Sequence, residues 1–177
     1  IARKGKIVYN KSFGYQTLAK RNKYQKNDIF RLASMTKAFT TVSIMQLYEQ
    51  GKLGLDDPVF YYIPSYRQSA VLDQFNDTDS SFTTLPVQRP ITIRHLLTHT
   101  SGITYGVFNP GKIQALYEKM GANNFGLSAD MTTEQMADQI AKVPLIFQPG
   151  EKYMYGLNME VLGRIVEVAS GKKLNEY

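Results

Sequence analysis

The chain has no cysteine and no tryptophan, only two histidines in 177 residues, and no apolar run approaching the roughly 18 residues that cross a bilayer. Each absence closes a class. Without cysteine there is neither a disulfide framework nor a thiolate zinc site, and two histidines cannot build a three-histidine catalytic zinc. Asp56, Asp57 and the carboxylates along 73–79 stand in turn-rich contexts, so neither a metal nor an organic cofactor is expected. No integral membrane segment is expected, and the chain reads as soluble. Its first residues lack an initiating Met and the apolar centre of a secretory signal, which leaves the compartment open between cytoplasm and periplasm.

Acidic residues are missing from the first 27 positions, which hold eight Lys/Arg, whereas the rest of the chain is slightly acidic and the total is +6. A nucleic-acid footprint would interleave this charge with stacking aromatics or a groove-reading element. Beyond Tyr9, Phe13, Tyr15 and Tyr24 on an alternating pattern there is none, so no nucleic-acid partner is expected.

What is present is ordinary globular material, 43% hydrophobic and 20% charged, enough to bury a core. Residues 1–17 read as a hairpin, with a turn at Lys4–Gly5 and strands over Lys6–Tyr9 and Ser12–Tyr15. Met35, Ala38, Phe39, Val42, Met45 and Tyr48 recur at helical spacing until Gly51. From Ser65 to Pro90 the composition turns to Ser, Thr, Asp and Gln, an extended surface insertion. Short helices are expected over Ile93–Leu97 behind a Thr92 cap, near Ile113–Met120, and from Thr132, where Gln135 completes a capping box. A last helix is expected over Asn158–Ala169, with Gly171 behind it.

One constellation could carry chemistry. In Ser34-Met-Thr-Lys37 the serine opens a helix and the lysine follows one turn later, so hydroxyl and ammonium share a face. The helix N-terminus adds N–H groups that favour a developing anion. The tetrapeptide pattern is weak alone, since chance supplies about one match in such a composition. A second match, Ser170-Gly-Lys-Lys173, spans a helix terminator and reads as a cap. The plain alternative for Ser34 is an N-cap serine.

The ordered blocks Phe30-Arg-Leu-Ala-Ser34-Met-Thr-Lys37, Gly51-Lys-Leu-Gly-Leu-Asp-Asp-Pro58, Ile91-Thr-Ile-Arg-His-Leu-Leu-Thr-His-Thr-Ser-Gly102 and Pro149-Gly-Glu-Lys-Tyr-Met-Tyr155 resemble the serine β-lactamase and penicillin-binding-protein superfamily. Within it they look most like class C-type carboxylesterases of family VIII. The resemblance implies an α/β (α+β) fold of the β-lactamase/transpeptidase type, an antiparallel sheet with flanking helices plus a mostly helical domain. Residues 1–33 would give the first strands and 34–177 the nucleophile helix and helical domain. It implies Ser34 as the acylated nucleophile, with Lys37 and Tyr155 as proton-transfer partners, and a small-molecule ester or β-lactam as substrate. Tyr105 and Tyr153 flank these segments and would line the acyl pocket. Leu157 stands where class C β-lactamases carry the Asn of a Tyr-x-Asn motif, and that departure favours ester over lactam. The family's third motif, Lys-Thr-Gly or a variant, is absent, which leaves half an oxyanion hole. The chain therefore reads as the N-terminal part of a larger fold, completed by a missing C-terminal segment or another chain. A β-lactamase or D,D-peptidase and a noncatalytic binding module remain the alternatives. His95 and His99 lie in a block resembling the family's structural turn, with no Gly-x-Ser-x-Gly elbow to serve, and are expected to be hydrogen-bonded turn residues.

Overall fold

The computed structural model describes residues 1–17, 19–122 and 131–177, which divide into two compact units, Ile1–Met35 and Thr36–Tyr177. In the first unit β1 (Ala2–Arg3) pairs antiparallel with β2 (Lys6–Ile7), Ala2 opposite Ile7. The turn between them places Lys4 and Gly5 at φ 48° and 71°, the doubly positive pair that matches strand twist in a two-residue hairpin. The expected strand Ser12–Tyr15 shrinks to a single bridge, Tyr15 to Lys23. Its apolar positions gain nothing from pairing, because Phe13 and Tyr15 both stay exposed. The unit ends in a 3₁₀ turn, Ala33–Met35.

The second unit is built around α5 (Asn158–Ser170), which packs on α1 (Thr36–Glu49), α2 (Ile93–Leu97) and α4 (Thr133–Ala141). Val161, Leu162, Ile165 and Val166 of α5 meet Ile44 and Leu47 of α1 and Ile93 and Leu96 of α2 in one core. Each such side chain contributes about 1.5–3 kcal/mol on burial. The core extends to Leu116 and Tyr117 of α3 (Lys112–Lys119) and to Ala137 and Ile140 of α4.

Helix ends fall where their chemistry dictates. Gly51 (φ 69°) follows α1 and Gly171 (φ 72°) ends α5 in the left-handed conformation that glycine adopts without strain. Thr132 and Gln135 form the expected reciprocal box on α4. On α2 the same device uses a histidine: the His95 amide donates to Thr92 Oγ1, and the Thr92 amide donates to His95 Nδ1 at 3.2 Å.

The stretch read as an extended insertion is more ordered than its composition suggests. A 3₁₀ turn (Pro64–Gln68) leads into a hairpin of β3 (Ala70–Phe75) and β4 (Phe82–Pro86), Val71 opposite Leu85. Buried Val71 also bridges in parallel to Leu145, so β3 is held on both edges. The Ser, Thr and Asp content belongs to the outer face and to the 76–81 turn. No helix of the described residues is long and apolar enough to cross a membrane.

Candidate active site

Lys37 sits in the first turn of α1, within the second unit, where two loops converge on it. From the loop after α2, Tyr105 accepts a hydrogen bond from Lys37 Nζ at 3.4 Å. From the loop before α5, the Tyr155 ring lies under the same ammonium, 5.0 Å from ring centre to Nζ. The two tyrosine rings are 5.5 Å apart, and the His99 ring packs against Tyr155 at 5.0 Å. A cation held this close to an aromatic ring, in a partly desolvated place, is stabilised by the ring quadrupole.

Tyr155 is placed by a buried polar network. Asn158 Nδ2 and the Gly156 amide both approach His99 Nδ1, at 2.8 and 3.4 Å. With two donors converging on it, Nδ1 is the acceptor nitrogen and the ring proton resides on Nε2. Ser101 Oγ donates to Asn158 Oδ1 at 2.5 Å and accepts from the Ile103 amide at 3.1 Å. Burial first, and the Lys37 charge second, hold the His99 imidazole below its usual range, so it stays neutral. His99 itself takes a left-handed backbone (φ 54°). A Cβ on Gly156 would lie 2.3 Å from the Ile103 carbonyl oxygen, so only glycine lets the Tyr155 segment approach the 103–104 backbone. His99 is thus a hydrogen-bonded turn residue, as expected, whereas His95 stands in the first turn of α2, where its ring accepts from the Thr92 amide.

Behind Tyr105 lies a residue that the sequence reading did not single out. Tyr105 Oη donates to Glu160 Oε1 at 3.1 Å, from the first turn of α5. The second oxygen, Oε2, is buried and has no hydrogen-bond partner among the described residues. Burial, then the Glu160 charge and hydrogen bond, push the Tyr105 phenol well above its ordinary range, so it stays protonated. The one available signal was a lone acid inside the apolar run Met159–Leu162.

The structure therefore brings Lys37, Tyr105 and Tyr155 together, with Tyr153 exposed at the rim and edge-on to His99 at 6.1 Å. Leu157 is 1% exposed and faces the core, so its side chain is committed to packing. Ser34 belongs to the first unit, on the 3₁₀ turn, three residues ahead of Lys37 in the chain. The residue before it, Ala33, has φ 48°, a left-handed conformation that a non-glycine residue adopts at a cost of about 1 kcal/mol or more. A groove of about 780 Å³ lined by Thr40, Thr133, Arg164 and Leu174, among others, contains none of Lys37, Tyr105 or Tyr155.

The chain is 35% identical to a lovastatin esterase of Penicillium rubens over 98% of its length and 42% of that relative's. It is 31% identical to the esterase EstB of Burkholderia gladioli, over 98% of this chain and 41% of that one. Among solved structures, EstCE1, a hydrolase with promiscuous acyltransferase activity, superposes with a TM-score of 0.81 at 31% identity, over 99% of this chain and 42% of that one. The chain thus spans about two fifths of the length of these relatives. A family model described as Beta-lactamase matches residues 1–177, so that the α+β arrangement is of the β-lactamase/transpeptidase type and the chain belongs to the β-lactamase family.

Proposed function

We propose that the protein is a serine hydrolase that cleaves small esters through an acyl-enzyme on Ser34. Ser34 Oγ would attack the ester carbonyl carbon while its proton passes to Tyr155. The tetrahedral intermediate collapses, and the departing alkoxide takes the proton back. Water, activated on the same side, then attacks the acyl carbon, releases the carboxylic acid and restores the serine. The ammonium of Lys37 stabilises a phenolate at Tyr155, worth about 4 kcal/mol at ~4 Å in an effective dielectric of 20.

The observation that carries this reading is the Lys37 ammonium poised over Tyr155 on the first turn of the helix that follows Ser34. Two further observations support it. Burial and the Glu160 carboxylate hold Tyr105 as a neutral phenol, so the reading assigns proton exchange to Tyr155. Named relatives are esterases and acyltransferases, and an alcohol in place of water would turn the same acyl-enzyme into a transfer catalyst.

The test is intact-mass spectrometry of the longest natural polypeptide containing this sequence, treated with a short p-nitrophenyl ester and with penicillin. A transient acyl mass on the Ser34 peptide with ester turnover is expected. A stable penicillin adduct without ester turnover would move the reading to a penicillin-binding protein, and unchanged hydrolysis by Ser34→Ala would remove Ser34 from the chemistry.

A further inference from the structure

We infer that Glu160 is a positioning residue for Lys37, acting through Tyr105. A phenol has one proton to give. At Tyr105 that proton is directed at Glu160 Oε1, 3.1 Å away, so the oxygen lone pairs are left to face Lys37 Nζ at 3.4 Å. Take the carboxylate away and the hydroxyl is free to rotate, its proton competing with the ammonium for the same space. The Lys37 head, on a long flexible stem, then loses the fixed acceptor that holds it beside Tyr155.

The usual reason for an acid at this place covers only part of what is seen. A carboxylate in the first turn of α5 complements the helix dipole, and an exposed one would do so as well. Glu160 instead has an oxygen buried with no hydrogen bond among the described residues. That oxygen carries a desolvation penalty that no hydrogen bond among the described residues offsets, the pattern of a group kept for function at the expense of stability. The two roles separate in their consequences. A purely structural acid loses stability and activity together on replacement, whereas a positioning acid on an unsatisfied oxygen loses activity while the fold gains.

The inference rests on the Ser34, Lys37 and Tyr155 reading, and the experiment keeps the two apart. In the natural full-length protein, Glu160→Gln retains a carbonyl acceptor for Tyr105 and is expected to keep kcat within about threefold. Glu160→Met, of similar shape without an acceptor, is expected to lower kcat about 10- to 100-fold with KM changed less than threefold, and to raise Tm by roughly 2–4 °C. Tyr105→Phe should cost a similar factor, and the double variant Tyr105→Phe/Glu160→Met should be no slower than the worse single one, because both remove the same link. Additive losses, or a Tm that falls with Glu160→Met, would overturn the inference. Ser34→Ala run alongside locates any failure. If it is inactive while Glu160→Met keeps the wild-type kcat, Glu160 is not a positioning residue and the serine reading stands. If it hydrolyses at the wild-type rate, the serine reading falls, and the Glu160→Met melting temperature and the double-variant cycle still decide the Tyr105–Glu160 link.

Discussion

Two groups of polar side chains meet at the Tyr155 ring, and they use their hydrogen bonds to different degrees. On one side, Ser101, His99, Asn158 and the Gly156 amide form a buried network in which donors meet acceptors. On the other, Lys37, Tyr105 and Glu160 make a chain that runs from an ammonium to a carboxylate oxygen with no hydrogen bond among the described residues. The first is built like a core and fixes backbone. The second tolerates an unmet bond beside the atoms proposed to react. Satisfied polar networks rigidify and specify, whereas an unsatisfied group stores a penalty that natural proteins keep at working sites.

Breaking the open chain should hurt catalysis most. Lys37→Ala is expected to lower ester kcat about 10³-fold, equivalent to about 4 kcal/mol, while circular dichroism and melting stay near wild type. A large loss of stability would mean that Lys37 belongs with the structural network instead. Breaking the closed network should do the reverse. Asn158→Leu removes the side-chain partner that His99 and Ser101 share and is expected to cost about 3 kcal/mol in urea unfolding. Activity per folded molecule should fall far less than for Lys37→Ala.

The closed network also predicts a pH dependence. The imidazoles of His95 and His99 are both held below their ordinary range, chiefly by burial, so the folded state binds fewer protons than the unfolded chain. Stability should be complete above about pH 6.5, the unfolded imidazole value, and decline as pH falls below it toward the folded values. His99→Gln, which cannot titrate, should flatten that decline in melts taken from pH 7.5 to 5. A stability that rises on acidification would mean the histidines are charged in the fold. The smallest effect belongs to a pair outside both groups: Arg94 and Asp56 meet bidentately at 2.7 and 2.8 Å but are exposed, and Arg94→Ala should leave Tm unresolved from wild type.

Much of the frame was legible because its signals are local. Thr92, Thr132, Gly51 and Gly171 mark helix ends through bonds to neighbours a few residues away, and α2, α4 and α5 fall where those residues put them. The β3–β4 hairpin was not legible, since Leu145, which bridges to its buried Val71, is distant in sequence and its composition is that of an exposed loop. Ser12–Tyr15 failed for the opposite reason: its alternation is clear, yet only Tyr15 finds a bridge partner, Lys23. In the candidate site, Lys37 and Tyr155 stand in the ordered blocks, and Tyr105 was singled out only by its place beside one of them. Glu160 was not, because an acid in the first turn of a helix is ordinarily explained by the dipole, and only the burial of Oε2 distinguishes it. Leu157 carried a motif position but not a site, since it is a core residue at the start of α5.

The bridge between Val71 and Leu145 also bears on how quickly the site is assembled. Leu145 donates its amide to Ala70 O and accepts from the Leu72 amide, at 2.9 and 2.8 Å, so the segment leading to Tyr155 is moored to a strand far earlier in the chain. Closing a loop of that length costs about 4 kcal/mol in chain entropy before any contact is gained, and contacts so remote in sequence slow folding. The helices carry caps of their own, whereas the meeting of Tyr155 with Lys37 joins residues more than a hundred positions apart. Substitutions at Leu145 should therefore slow the recovery of the proposed esterase activity on refolding more than they slow the recovery of helical signal.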